Sequence, residues 1–490
     1  MSASSSTASS FETIIGLEVH AQLKTGSKMF CGCRVEFGAP PNTLVCPVCL
    51  GLPGALPVTN SNAIALALRA ALALGCAVHT RSVFARKNYF YHDLPKGFQI
   101  TQYDQPLATD GSLALVSEVG GEAVSVRIRR LHLEEDAGKS LHDRFPGLTA
   151  VDLNRAGIPL IEIVSEPDLR SPALARAYVT RLKQTLEYLE VSDGNMEEGS
   201  LRVDANVSVR PRGSRDLGTK SEVKNMNSFS QLEKALTYVA AQHVKLTEAG
   251  SVVEHQTMLW DPARGEARPM REKEDIHDYR YFPEPDLPTL VVSEAEIERT
   301  RRGLPELPWQ KEERFVHEYG LPGYDAEVLS ATRPLADFFE AVAGAAADPK
   351  TVSNWVMGEV MAACNEGGVG IAELGLEPGA LAELIGLVGS GTLSNNLGKQ
   401  VLRKMIETGK APEQIIDEDD LSKVSDVGQI EAWVAAVIED NPKEVERYRR
   451  GEEKLLSFFI GQVMQKSKGR ADPARLREVL LGAINRDWGG

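Results

Sequence analysis

The segment Arg86-Lys87-Asn88-Tyr89-Phe90-Tyr91-His92-Asp93-Leu94-Pro95-Lys96-Gly97-Phe98-Gln99-Ile100 packs three basic residues, four aromatic rings, an Asp and a His into fifteen positions. Charge interrupts it too often for a core strand. It suits a ligand wall, because Lys and Arg hold phosphate oxygens and aromatic faces stack on a base or ribose. The same composition also suits a solvated loop anchored by its rings, so the rest of the chain must decide. Single carboxylates stand inside apolar, strand-like runs at Glu18, Glu134, Glu135, Glu162 and Asp204, and His20 adds an imidazole. A carboxylate in such a run is costly to bury unless it is paired or metal-bound. Oxygen donors with few nitrogens and no sulfur suit Mg2+, which is held by one or two carboxylates plus substrate phosphates. Any one of these side chains could simply face solvent. As a set, with Arg86 and Lys87, they point to a metal–phosphate site.

A second constellation is Cys31, Cys33, Cys46 and Cys49, four of the six cysteines within nineteen residues. The pattern C-x-C, twelve residues, C-P-x-C can supply four thiolates to one tetrahedral zinc. Four thiolates leave no open position, so the zinc expected here is structural. Cys76 and Cys364 lie in apolar surroundings and read as core.

These residues need strands to hold them. In Thr13–His20 the end alternates, with Leu17 and Val19 facing one way and Glu18 and His20 the other. Val124–Ile128 alternates, then slips phase before Leu131–Glu135, which predicts a bulge of the kind found beside active sites. Leu160–Val164 is a strand interrupted by Glu162, and Leu201–Val209 alternates throughout. Helices are expected at Asn62–Leu74, Pro172–Leu189 and Ser230–Thr247. Beyond Glu294 the pattern turns helical. The expected class is α+β. Its parts are a disordered tail (1–10), a β-rich cradle-like catalytic domain with the zinc knuckle (11–295), an all-α domain (296–405) and a small α-helical tail domain (406–490).

A chain of 490 residues is expected to form two to four domains. No apolar run reaches membrane-spanning length, and the Ser/Ala-rich start lacks the features of a signal peptide, so a cytoplasmic location is expected. The net charge of −15 argues against a general nucleic-acid binder. Yet Lys443–Arg477 holds ten Lys/Arg against five Asp/Glu, a local positive end. Gly138-Lys139-Ser140 resembles the end of a P-loop, but the first Gly of that pattern is replaced by Leu133. No G-x-S-x-G elbow is present.

At this point longer motifs carry a resemblance. Gly16-Leu17-Glu18-Val19-His20, the Arg86–Ile100 segment, Leu131–Ser140, Asp152–Arg155, Pro159–Asp168, Met196–Arg202, Lys224–Phe229, Asp278–Asp286, Gly461–Met464 and Lys468-Gly469 resemble the B subunits of tRNA-dependent amidotransferases, from about Phe11 to the end. The resemblance implies a ligase that uses ATP and Mg2+ to phosphorylate the side-chain carboxylate of Glu-tRNA(Gln), Asp-tRNA(Asn) or both. Ammonia from the A subunit, an amidase-fold glutaminase, then displaces the phosphate, and the small C subunit makes the assembly a heterotrimer. It implies His20, Glu135 and Glu162 as Mg2+ ligands, with Glu18 binding metal or orienting its ligands. It implies Lys87, with Arg86 and Glu134, in the catalytic site, and Lys87, Asn154, Arg155 and Lys224 as nucleotide or aminoacyl contacts. Two other readings stay open on the residues alone. One is a free-standing ATP-dependent ligase for a small carboxylate, and the other is a zinc-containing tRNA-binding or assembly module.

Overall fold

The protein is described here from a computed structural model that covers residues 10–116, 123–270, 279–346, 348–419, 421, 427–467 and 470–485. Most of the expected tail, 1–9, and Lys468-Gly469 lie outside the described residues. The class is α+β. Two compact units divide at Leu307/Pro308.

The first unit contains sixteen strands among its described residues. In chain order these are β1 (Phe11–Gln22), β2 (Ala77–Val78), β3 (Arg81–Ser82), β4 (Phe84–Asn88), β5 (Phe98–Gln102), β6 (Ala108–Val116), β7 (Ala123–Glu135) and β8 (Lys139–Phe145). They continue with β9 (Leu148–Asp152), β10 (Pro159–Ser165), β11 (Leu201–Pro211), β12 (Ser221–Lys224), β13 (Gln256–Asp261), β14 (Glu266–Pro269), β15 (Phe282–Pro283) and β16 (Leu290–Val291). Nine form one sheet in the order β14-β13-β12-β11-β1-β10-β7-β6-β2. All its pairings are antiparallel except β12 with β13. A small sheet of order β15-β4-β5 accompanies it, with β5 against β7.

Alternation decides which face of the large sheet is dry. Leu17, Val19, Ile161, Ile163, Val203 and Ala205 are buried on one side, each large side chain contributing about 1.5–3 kcal/mol. Helices α2 (Pro172–Tyr188) and α3 (Phe229–Glu248) pack on each other; α2 also contacts β1 and α3 contacts β11. Ser171 and Ser228 cap them, each accepting from the backbone N–H three residues on. The intervening residues of the same strands carry the polar side chains. The phase slip in β7 appears as a register shift: Val164 faces Arg130 and Ser165 faces Ile128, which leaves Arg129 without an opposite residue.

Helix α1 (Ser61–Ala73) is anchored by Asn60. Its Oδ1 caps the helix, while its Nδ2 donates to the carbonyls of Ser27 and Lys28 at the start of the cysteine loop. The second unit is helical among its described residues and holds two apolar cores. One gathers residues between Phe315 and Ile416 around Phe339, Val356 and Leu397. The other gathers residues between Ile430 and Ile484 around Val434, Phe459 and Leu480.

Candidate active site and metal centres

The strand register builds the site. His20 of β1 lies opposite Glu162 of β10, which lies opposite His132 of β7. Opposed residues of a sheet project to the same face, and so does Glu134, two residues beyond His132. His20 Nε2 is 3.3 Å from Glu162 Oε2 and 3.6 Å from Glu134 Oε1. His132 Nε2 is 3.4 Å from Glu162 and 3.8 Å from Glu134. One donor atom each from His20, Glu134 and Glu162 lie within 4.8 Å of one another, close enough to share a metal ion. Thr101 of β5 donates to Glu134 at 3.2 Å and Arg130 approaches Glu162 at 3.7 Å.

The charges depend on one another. Burial opposes the His20 imidazolium, but the hydrogen bond with Glu162 and the charges of Glu162 and Glu134 push its pKa up to about 9. Burial likewise opposes the Glu162 carboxylate, but the neighbouring His132 and His20, with Lys87, hold its pKa well below the usual range. Glu18 shares this face two residues before His20. Burial, then the charge of Glu162, raises its pKa, and Asn206 donates to it at 3.2 Å. Lys87 of β4 is half-buried; its partial burial opposes the charge, yet Glu134, with Tyr281 and Glu162, raises its pKa. Its Nζ lies 4.8 Å from the Tyr279 ring centroid and 5.9 Å from that of Tyr89.

Two expected members lie elsewhere, for one reason. Consecutive residues in a strand face opposite ways. Glu135 therefore turns from the His20–Glu134–Glu162 cluster and pairs with Lys96, while the Ile100 N–H donates to it at 2.9 Å. Arg86 turns from Lys87 and makes a bidentate pair with Glu284 at 2.7 and 2.9 Å, with Asp286 at 3.1 Å. The third member of the cluster with His20 and Glu162 is thus Glu134, and Glu135 lies outside it.

Beyond β1 and β11 a cavity of about 690 Å³ opens, lined by Asn154, Arg155, Arg202, Asp204 and Asn225 among others. Arg202 grips Asp136 through both oxygens at 2.9 and 3.0 Å. Arg155 donates to the carbonyls of Ala137 and Gly138. Asn154 is tied to the cysteine loop, accepting from Leu44 N–H at 2.8 Å and donating to the Pro40 carbonyl at 2.7 Å. Lys224 pairs with Asp204 and Glu222 at 3.2 and 3.1 Å.

The sulfurs of Cys31, Cys33, Cys46 and Cys49 also lie within 4.8 Å of one another, so they can hold one metal ion. Lys28, only 1% exposed, places Nζ 3.7 Å from Cys49 Sγ and 3.4 Å from the Leu153 carbonyl. The hydrogen bond with Cys31, then the Cys46 backbone and the Lys28 charge, lower the Cys49 pKa to about 4 against the effect of burial. Gly157, at φ 88°, lets the chain turn against this loop, and its carbonyl accepts from Met29 N–H at 2.7 Å.

Residues 13–298 match the family described as the GatB/GatE catalytic domain, and 337–484 match the GatB domain. The chain belongs to the GatB family. Similar relatives are named as the B subunit of aspartyl/glutamyl-tRNA(Asn/Gln) amidotransferase. That of Thermodesulfovibrio yellowstonii is 52% identical over 96% of this chain and 98% of its own. That of Myxococcus xanthus is 52% identical over the same shares, and that of Prosthecochloris aestuarii 50% over 98% and 99%. Within this GatB-family chain, sequence reasoning passed over His132, Arg130, Thr101 and the ring of Tyr279. His132 had a visible signal, since it is in phase with Glu134. Thr101 and Tyr279 had none, because they approach from other strands.

Proposed function

We propose that this chain is the carboxylate-activating subunit of a glutamine-hydrolysing, ATP-dependent aminoacyl-tRNA amidotransferase. The observation that carries this reading is the convergence of His20, Glu134 and Glu162 on one face of the sheet, within reach of the Lys87 charge, in a chain whose relatives are named for Asn/Gln-tRNA amidotransfer. The substrate is the side-chain carboxylate of Glu-tRNA(Gln), Asp-tRNA(Asn) or both. Its oxygen attacks the γ-phosphoryl of ATP and ADP leaves, giving an acyl phosphate. Ammonia then attacks the acyl carbon, the C–O bond breaks, and phosphate departs with the oxygen.

Two carboxylates and an imidazole fit Mg2+, which when bound neutralises charge on the transferring phosphoryl oxygens. Lys87, kept cationic by Glu134, adds a second positive charge there without reorganisation. Glu18 fixes the neighbourhood of His20. The cavity beside Asn154 and Arg155 takes the nucleotide, with Lys224 holding Asp204 at its margin. The four cysteines hold a structural zinc, and buried Lys28 balances its thiolate charge. Ammonia comes from the A subunit, an amidase-fold glutaminase, and the small C subunit makes the assembly a cytoplasmic heterotrimer. The basic helices near the C-terminus contact tRNA.

The test is γ-phosphate release from ATP by the chain assembled with its partner subunits, with and without Glu-tRNA(Gln). Release that requires both the mischarged tRNA and Glu134 is expected. Release without the tRNA would favour a free-standing ligase.

A further inference from the structure

Beside Lys87 the small sheet carries a feature that the phosphoryl chemistry does not use. Tyr103, just past the end of β5, stacks on Tyr281, just before β15, with ring centroids 4.0 Å apart and planes within 3°. Tyr281 meets Tyr279 edge-to-face at 5.9 Å, and Tyr279 meets Tyr89 at 6.0 Å. The rings form a ledge running from Lys87 outward to Tyr103, which is 43% exposed. Tyr103 lies two residues beyond Thr101, whose hydroxyl touches Glu134, so the ledge ends about 7 Å along the chain from the metal cluster. Arg280, between the two tyrosines, is held at φ 44°, a left-handed conformation unusual for Arg.

We infer that the outer face of Tyr103, backed by Tyr281, is the stacking platform for the terminal adenosine of the aminoacyl-tRNA. This rests on the amidotransferase reading above. The amino acid is esterified to that adenosine's ribose, so its carboxylate cannot enter the His20–Glu134–Glu162 cluster without bringing the base close by. Aromatic faces are what single-stranded ends of RNA stack upon.

Two sources of adenine are present in the reaction, ATP and the tRNA end. Geometry favours the tRNA for this platform. The cavity lies on the β1–β11 side of the cluster, whereas the ledge lies on the β5–β7 side. Phosphoryl transfer places the attacking and leaving oxygens roughly in line. A donor in the cavity therefore leaves the ledge side to the acceptor. A small nucleotide prefers the concave site, while an open ledge admits the end of a macromolecule.

The test uses Tyr103→Ala, Tyr281→Ala and the conservative Tyr103→Phe in the assembled enzyme. The Ala variants should raise the KM for Glu-tRNA(Gln) by roughly 5–150-fold, as expected for loss of one base stack, with the KM for ATP unchanged and Tyr103→Phe close to wild type. A second arm needs no turnover: binding of uncharged tRNA(Gln) with and without its terminal adenosine. Removing that adenosine should weaken binding to the wild type and make no difference to Tyr103→Ala. A rise in the KM for ATP instead would assign the platform to the nucleotide and overturn the inference. No change in either KM, or an adenosine effect that persists in Tyr103→Ala, would make the stack purely structural and overturn it as well. If the wild type lacks tRNA-dependent phosphate release, the amidotransferase reading fails, and the binding arm still decides the platform.

Discussion

Replacing Glu134 by Gln keeps the side chain's shape but removes a charge on which His20 and Lys87 depend. Phosphate release should fall at least about 100-fold, with the Mg2+ requirement moved to higher concentration; a magnesium titration of the variant checks this. Glu135→Gln, one residue away, should behave differently. It strips Lys96 of its buried partner, so the cost should appear as about 3–5 kcal/mol of lost stability in denaturant unfolding. The magnesium concentration giving half-maximal release should stay at the wild-type value. Equal magnesium shifts in the two variants would mean that both carboxylates ligate. Lys87→Ala should lower release by about 10²–10³-fold, because a cation aimed at developing phosphoryl charge is lost, and a release rate near wild type would remove Lys87 from the site.

Elements explain why much of this site was legible and part was not. The alternation of Leu17, Glu18, Val19 and His20 gives the face of β1 directly, and the phase slip in β7 marks the bulge at Arg129. The same alternation separates Glu134 from Glu135, which a motif treats as a pair. What no pattern carries is the approach of one strand to another. Thr101 meets Glu134, and Lys87 feels its charge, because β4 pairs with β5 and β5 lies against β7. The aromatic segment from Arg86 likewise divides between two faces, with Lys87 at the cluster and Arg86 at Glu284. Asn60 shows the same limit at a helix start, where one side chain caps α1 and also holds the cysteine loop. Asn60→Ala should cost about 1 kcal/mol as a lost cap and should speed zinc loss to a chelator. Unchanged release kinetics would show that the loop holds itself.

Over the whole molecule, charge is distributed unevenly. The chain carries −15 overall, yet Lys443 and Lys454 stand exposed in the basic end. Several neighbours are already paired, as Arg447 is with Glu452 and Lys466 with Asp440. The Lys443→Gln, Lys454→Gln double variant of the assembled enzyme should weaken tRNA binding and flatten its salt dependence by roughly one unit of slope for each phosphate no longer neutralised. The second unit has its own acid sensitivity. Burial opposes the Asp325 carboxylate, but Lys350 and Ser353 hold its pKa below the ordinary 3.8. Its contribution is complete above 3.8 and is lost as pH falls through the lower folded value. Asp325→Asn should therefore reduce stability at neutral pH and lessen its further loss in acid, as read by hydrogen exchange in that unit. Strand β1 pairs with β10 and β11, partners that begin at Pro159 and Leu201. On a ribosome adding about 5–20 residues per second, the first strand waits on the order of 10 s for its neighbours. The four cysteines, spanning 31–49, emerge together early in that wait, whereas Asn154 and Gly157, which brace their loop, come later. Of the two residue clusters able to hold an ion, the cysteines come from one short stretch of chain, and the other exists only once β1, β7 and β10 have paired.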